Sequence, residues 1–261
     1  MNRSYPDTTL LITHYNRSQS LERLLKTFRE LGCQFGAIVV SDDNSKPEHF
    51  LRVKELEKEF QFELVTTPVN KRLGHNINKG QDAVKTPLTL YVQEDFQPTE
   101  KFPEHFDHAL TLMRTEPEWD LIRFYAYFKH PNLKPHTYGF SEMIFSWLDP
   151  DHLKFYVYSD HPHLRRSTFF EKFGRYAELG NMNDGEFHMA LSFIKNKGRA
   201  LFFEDYSSLF YQKNSSSEPS TIDRPDWRTR KNPLIQGLRM LYLPVRWLKN
   251  TAQLIFFKTQ N

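Results

Sequence analysis

The sequence predicts an α/β fold built on a mostly parallel, doubly wound central sheet. Three observations carry that expectation. Through residues 1–98, short apolar, β-branched runs alternate with stretches whose apolar residues recur at helical spacing, the pattern of strand–helix–strand units. Each apolar run ends in a polar cluster, which gathers the polar clusters on one sheet edge. Neither Gly-x-Gly-x-x-Gly nor Gly-x-x-x-x-Gly-Lys-[Ser/Thr] occurs in this half, which argues against dinucleotide-binding and P-loop versions of the architecture.

Residues 8–13 are short, apolar and rich in β-branching, as a buried strand requires. They run into the polar turn His14-Tyr15-Asn16-Arg17-Ser18. Leu21, Leu24, Leu25, Phe28 and Leu31 then recur at helical spacing until Gly32 stops the helix. Residues 37–40 form a second buried strand, ending in Ser41-Asp42-Asp43-Asn44-Ser45, and a helix over 48–60 follows with Leu51, Leu56 and Phe60 inward. Residues 62–66 are a third strand, and a helix around 76–84 leads to a strand over 88–92. That strand, bounded by Pro87 and Pro98, runs straight into Glu94 and Asp95. Unpaired charges at the end of a buried strand cost on the order of several kcal/mol. They are tolerated where the strand's carboxyl end opens into a crevice, which is where α/β sheets bind ligands. Two hard oxygen ligands at such a lip suit a divalent cation holding a phosphate; a plain polar turn is the alternative.

Beyond Pro98 the pattern loosens. A helix near 103–113 precedes a strand over 119–125, and residues 127–150, rich in His, Pro, Tyr and Phe, read as a long loop excursion. Residues 155–158 read as another strand and 166–173 as a short helix. Asn181-Met182-Asn183-Asp184-Gly185-Glu186 then opens a helix with Phe187, Ala190, Leu191 and Ile194 inward. A carboxylate at such an N-terminus is favoured by the free backbone N–H groups, so a simple cap is one reading of Asp184. Residues 214–228, rich in Ser, Pro and Asp, read as a loop or linker.

Composition narrows the class. Hydrophobic residues at 39% and charged residues at 26% describe a soluble globular protein. The aromatic surplus, 23 Phe and 12 Tyr, supplies core or flat platforms for sugars and bases. A single cysteine, Cys33, leaves no internal disulfide and no zinc framework. With no secretory pattern and no apolar run of membrane-spanning length, the chain reads as cytoplasmic. From Arg224 onward eight basic residues face one acid, Asp226, so a basic tail follows a mildly acidic body.

The ordered motifs resemble those of family 2 glycosyltransferases of the GT-A fold. Ile12-Thr13-His14-Tyr15-Asn16-Arg17 resembles the family's first-strand signature, and Val40-Ser41-Asp42-Asp43-Asn44-Ser45 its Val-Asp-Asp-Gly-Ser-type turn. Asn78-Lys79-Gly80 stands at the Asn-x-Gly position, Gln93-Glu94-Asp95 at the Asp-x-Asp metal motif, and Asn183-Asp184-Gly185-Glu186 at the Glu-Asp-x-Glu/Asp cluster. Two departures stand out: Ile77 replaces the Arg that often precedes the Asn, and Glu94 replaces an Asp of the metal motif.

The resemblance implies a catalytic GT-A domain over 1–212, with a nucleotide-binding half (1–98) and a less regular acceptor half (99–212). A linker (213–232) and a basic amphipathic helical tail (233–261) would follow. It implies a nucleotide-sugar donor, UDP-sugar favoured, held by Thr13, Tyr15, Arg17, Asp43, Arg72 and Glu94, with Arg72, Lys71 or His75 standing in for the missing Arg. Asp95 would ligate Mn²⁺ or Mg²⁺, and Asp184, with Glu186 as its competitor, would be the general base of an inverting transfer. Trp147, His163 and Arg166 would serve the acceptor or diphosphate side; His161 and His163 alone are too few for a metal site.

The acceptor would be a glycan or a lipid-linked glycan, as in polysaccharide and cell-envelope biosynthesis. Pro244 would kink or split a tail helix. The tail would rest peripherally on a membrane surface or pack on the domain or in a dimer; no nucleic-acid motif supports that third partner. A sugar nucleotidyltransferase and a non-catalytic carbohydrate-binding or assembly protein are the alternatives.

Overall fold

The apolar runs become strands because both of their faces are covered. In β1 (Arg3–His14), Leu10, Leu11 and Ile12 are all fully buried, as an inner strand of a parallel sheet must be. It pairs in parallel with β2 (Cys33–Asp42) on one side and β4 (Leu88–Gln93) on the other. A third parallel strand, β3 (Glu63–Val65), extends the sheet beyond β2. On the far side lie β9 (His163–Arg166), β6 (Leu121–Arg123), β10 (Ala200–Phe203), β8 (Phe140–Met143) and β7 (Leu133–Pro135). The order is β3-β2-β1-β4-β9-β6-β10-β8-β7, with β9 and β8 running against the rest. A separate two-stranded ribbon joins β5 (Phe96–Pro98) to β11 (Phe210–Gln212). The structure is a computed structural model and describes residues 2–178, 182–214, 218 and 233–258.

Helices cover both faces. α1 (Ser18–Glu30), α2 (Pro47–Phe60) and α4 (Phe102–Thr115) bring Leu24, Phe28, Val53 and Phe106 against Leu10, Ile12 and Val92. On the other face, α3 (Arg72–Asp82), α5 (Phe169–Phe173) and α6 (Met182–Lys195) pack Ile77, Phe169, Met189 and Phe193 against Leu11, Val39 and Tyr91. Successive strands step outward through β2 and β3, and the chain then returns to place β4 on the opposite side of β1. That reversal opens a crevice at the carboxyl ends of β1, β2 and β4.

Asn78-Lys79-Gly80 has a packing reason of its own. A Cβ on Gly80 would come within 2.7 Å of Leu11 Cδ1 and 2.9 Å of Ser41 Cβ, so α3 can lie this close to the sheet only with glycine there. The Asn78 side chain donates to the Tyr176 carbonyl and accepts from the Tyr176 N–H, both at 3.0 Å, tying α3 to the segment before α6. Lys79 donates to the Asp42 carbonyl at 2.5 Å.

Several expectations need correction. Leu51 is 66% exposed; Val53 and Leu56 are the buried residues of α2. Residues 155–158 are not a strand: a 3₁₀ turn (His152–Phe155) and irregular chain bury Phe155 against Leu191 and Leu254, and Val157 and Tyr158 in the core beneath α5 and α6, and burial without sheet pairing mimicked a strand's composition. The strand lies later, at β9, and takes Arg166 out of the expected helix. The excursion over 127–150 contains β7 and β8, which pair with each other. α7 (Pro233–Phe256) is one helix that carries Pro244 within it. Most of the expected linker lies outside the described residues.

Candidate active site

The crevice is lined from the strand ends outward. β1 stops at His14, and His14 Nδ1 lies 2.7 Å from Asp42 Oδ1 at the end of β2. Because His14 Nε2 accepts the Arg17 backbone N–H at 3.2 Å, Nδ1 is the nitrogen that donates to Asp42. Ser45 Oγ and Ser45 N–H also donate to Asp42. Burial pushes the Asp42 carboxyl up, but the hydrogen bonds from His14 and Ser45 outweigh it and hold the group below the usual carboxylate range. This clasp welds the two turns that follow β1 and β2. Asn16 and Asn44 take positive φ in those turns, 54° and 59°, a conformation that asparagine tolerates better than most residues.

Asp43 points across to α3. Its carboxylate accepts the backbone N–H groups of Lys71 at 2.9 Å and Arg72 at 2.6 Å, satisfying donors left open at the helix N-terminus. Tyr15 is half-buried and lines a cleft with Asn44, Phe50 and Thr67 beside this turn. Thr13 lies inside the sheet, 1% exposed, with its Oγ1 3.1 Å from the Tyr91 hydroxyl.

Glu94 and Asp95 form the turn between β4 and β5. Asp95 Oδ2 meets Arg17 Nη1 at 3.0 Å and accepts from Gln212 Nε2 at 2.7 Å, while the Asp95 carbonyl accepts from Lys213 N–H at 2.8 Å. Glu94 lies 3.8 Å from the same guanidinium. Burial and the adjacent Asp95 push the Glu94 carboxyl up to about 8, against the pull of Arg17. Asp95 Oδ1 is buried without a hydrogen-bond partner among the described residues. Arg17 also donates to Asn214 Oδ1 and the Glu218 carbonyl. Glu218 in turn accepts from Gln19 N–H, Ser20 N–H and Ser20 Oγ at the start of α1. Lys213, Asn214 and Glu218, which follow β11, are thus tied to Asp95 and Arg17.

On the other side of the crevice, Asp184 lies in the first turn of α6. Glu186, one half-turn on, accepts from Ser159 Oγ at 2.7 Å and from the Asp160 N–H at 3.0 Å. Asp160 is a carboxylate that sequence reasoning missed. It is 6% exposed, it accepts from the Tyr176 hydroxyl, and burial together with Glu186 pushes it up to about 8. No local pattern marks it; only its meeting with Tyr176 and Glu186 does.

The three residues expected on the acceptor or diphosphate side have different surroundings. His163 is fully buried, tilted against Tyr91 and edge-on to Tyr158, with Nδ1 2.8 Å from the His161 carbonyl. Arg166 pairs in register with Leu88, at the start of β4 and thus at the opposite sheet edge, and its guanidinium donates to the carbonyls of Trp119, Met113 and Glu116. Trp147 is 52% exposed and packs edge-on against Phe145. The antiparallel course of β9 explains Arg166: it carries its first residue to the crevice and its last away from it. Arg72 is exposed, and its neighbours in the groove behind Asp43 include Asp160 and Glu186.

The sequence model of the family described as Glycosyl transferase family 2 matches residues 9–192, a span that includes the carboxyl ends of β1, β2 and β4 and the first turn of α6. No curated protein matches the chain in sequence. Among solved structures, the chain is similar to S. aureus TarS, with a TM-score of 0.55 at 15% identity over 80% of this chain. The chain spans only 37% of that protein's length. It is similar to S. aureus TarS 1-349 in complex with UDP-GlcNAc (TM-score 0.57, 13% identity, 96% of this chain and 73% of that one). It is also similar to the mannosyltransferase PcManGT from Pyrobaculum calidifontis in complex with GDP-Man and Mn²⁺ (TM-score 0.56, 10% identity, 99% and 79%). At such identities the likeness establishes a shared GT-A fold.

Proposed function

Because the chain belongs to glycosyl transferase family 2, we propose that it moves a sugar from a nucleotide-diphosphate donor, a UDP-sugar in first place, to a hydroxyl of a glycan or lipid-linked acceptor. The observation that carries this reading is the convergence of the Tyr15, Asp43 and Glu94–Asp95 turns with the first turn of α6 at one sheet edge, within the span that matches the family. The donor's base would lie in the cleft beside Tyr15, on the nucleotide-binding half (1–98). Asp43, engaged with α3, would shape that cleft and retain lone pairs for a base N–H.

The acid pair fits a divalent cation, Mn²⁺ or Mg²⁺. Asp95 Oδ1 is a buried acceptor without a partner among the described residues, and Glu94, raised by burial and by the adjacent Asp95, would be stabilised as a carboxylate by a cation. Among those residues no group of three or more His, Cys, Asp or Glu gathers, so these two carboxylates would be the protein's contribution to such a site. When bound, the cation would neutralise charge on the diphosphate as the nucleoside diphosphate leaves. Arg17 secures the other Asp95 oxygen and fixes the carboxylate's orientation.

We assign the general base to Asp184, which would take the acceptor hydroxyl's proton during an inverting displacement. Glu186 already accepts two hydrogen bonds through Oε1 and would hold the Ser159–Asp160 segment in place. The tail would be peripheral to a membrane. No helix among the described residues is long and apolar enough to cross one, but α7 exposes Tyr242, Val245, Leu248 and Phe256 on one side.

The test is UDP release from UDP-sugars with Mn²⁺ present. We expect release by the wild type, loss of it in Asp95→Ala, and a reduction of about 10²–10⁴-fold in Asp184→Asn with UDP affinity retained. A carbohydrate-binding protein would bind sugar without releasing UDP, and a nucleotidyltransferase would instead release pyrophosphate from a nucleoside triphosphate and a sugar phosphate.

A further inference from the structure

A second cavity, of about 250 Å³, opens beside Glu186 between the carboxyl end of β6, the loop after it, the 3₁₀ turn at 152–155 and α7. Its walls are cationic. Arg123 and Lys129 come from β6 and its loop, Arg246 comes from α7, and His130, His152 and His161 complete the polar lining. Glu186 is the only acid on these walls among the described residues, and its Oε1 is already engaged by Ser159 and Asp160.

The cations are poorly compensated. Arg123 is 4% exposed; its Nη1 reaches only the Tyr156 carbonyl at 2.6 Å and Met143 sulfur at 4.0 Å, and its Nε has no partner among the described residues. Arg246 donates to the Tyr156 hydroxyl at 2.6 Å. Among the described residues, neither forms an ion pair with a carboxylate. Burial pushes Arg123 down to about 10, with Glu186 pulling it back, so it stays charged at neutral pH. A desolvated guanidinium without a direct ion pair is costly, and a bound anion would supply one with charge-assisted hydrogen bonds. Tyr127 and Phe128 stand on the same walls, an aromatic surface against which a sugar ring can lie.

We propose that this cavity is the acceptor subsite and that it selects acceptors carrying an anionic oxygen group, a phosphate or a carboxylate, seated by Arg123 and Arg246 next to the helix turn that holds Asp184. This rests on the glycosyltransferase reading for the word acceptor, but the anion seat stands on the cavity itself. Arg246 makes the tail part of that seat.

Calorimetry on the full chain, with saturating UDP and Mn²⁺ to fill the donor side, tests it. The probes are glucose 1-phosphate, glucuronic acid and methyl glucoside. At least one anionic probe should bind at millimolar concentration or better, with methyl glucoside at least tenfold weaker. The preference between the two anions identifies the acidic group. Arg246→Gln should weaken anion binding at least tenfold and Arg246→Lys should recover part of it, thermal melting confirming that each variant is folded; Lys129→Gln at the exposed mouth is a second variant that spares the core. Equal binding of methyl glucoside, no binding of either anion, or anion affinity unchanged in both Gln variants overturns the proposal. Should UDP with Mn²⁺ fail to bind while the anions still bind in an Arg246-dependent way, the donor reading fails and the anion seat survives.

Discussion

Asp43 and Asp160 are the residues whose surroundings most change what the chain can be expected to do. Asp43 was legible as a site residue because it follows a strand end, but its bonds to the Lys71 and Arg72 N–H groups make it a brace for α3 as well. Asp43→Ala should therefore cost about 1–2 kcal/mol of stability in urea unfolding without any nucleotide present; an unchanged midpoint would restrict Asp43 to ligand contact. Asp160 was illegible, since nothing in Ser159-Asp160-His161 signals burial against Tyr176 and Glu186. Its carboxyl is raised to about 8 in the folded protein, against about 3.9 in an unfolded chain. Between those values the folded state holds a proton that the unfolded state has released, so this group makes stability fall as pH rises from about 4 to about 8. Asp160→Asn should remove that slope, which can reach about 1.4 kcal/mol per pH unit. Denaturation of both proteins at pH 5, 6, 7 and 8 decides it, and parallel curves would show that Asp160 ionises normally.

At the scale of elements, β1, β2, β4 and α1 follow their periodicity because each buries a continuous run or face, as Leu21, Leu24, Leu25 and Phe28 do in α1. Where the reading failed, burial came from irregular chain: Phe155, Val157 and Tyr158 are core residues with no strand beneath them. The Asn78-Lys79-Gly80 motif also changes meaning at this scale, from a signature to the contact that lets α3 lie on β1 and β2. Gly80→Ala should lower stability by roughly 1–2 kcal/mol, overpacking outweighing the gain in helix propensity. A higher melting temperature would mean that Leu11 yields at no cost. α7 divides by face. Leu254 is fully buried against Phe155 and Leu191, whereas Leu248 is 61% exposed. Leu254→Ala should cost about 2–4 kcal/mol, while Leu248→Asn should change stability by no more than about 0.5 kcal/mol.

For the molecule as a whole, α7 joins two roles, closing the anion cavity with Arg246 and presenting an apolar face outward. Its sequence contains Arg239, Arg246 and Lys249 and no acid, a combination suited to an anionic lipid surface. Co-sedimentation with anionic vesicles should fall when salt rises and in Leu248→Asn, whereas phosphatidylcholine vesicles should bind little. Retention on anionic vesicles that is indifferent to both changes would remove the membrane role and leave α7 as a packing element. The sequence by itself determined the alternating α/β order, strand ends at Thr13, Val40 and Val92, each within two residues of the end in the structure, and the acids that follow them, because strand periodicity and burial are local properties of the chain. Only the tertiary structure decided what those acids meet: Arg17 on Asp95, α3 on Asp43, Tyr176 on Asp160, and Arg246 from the tail beside Arg123. Those partners are separated by 16 residues or more and share no periodicity. Their pairing is set by strand order and helix packing, which bring distant side chains together in ways that no local pattern encodes.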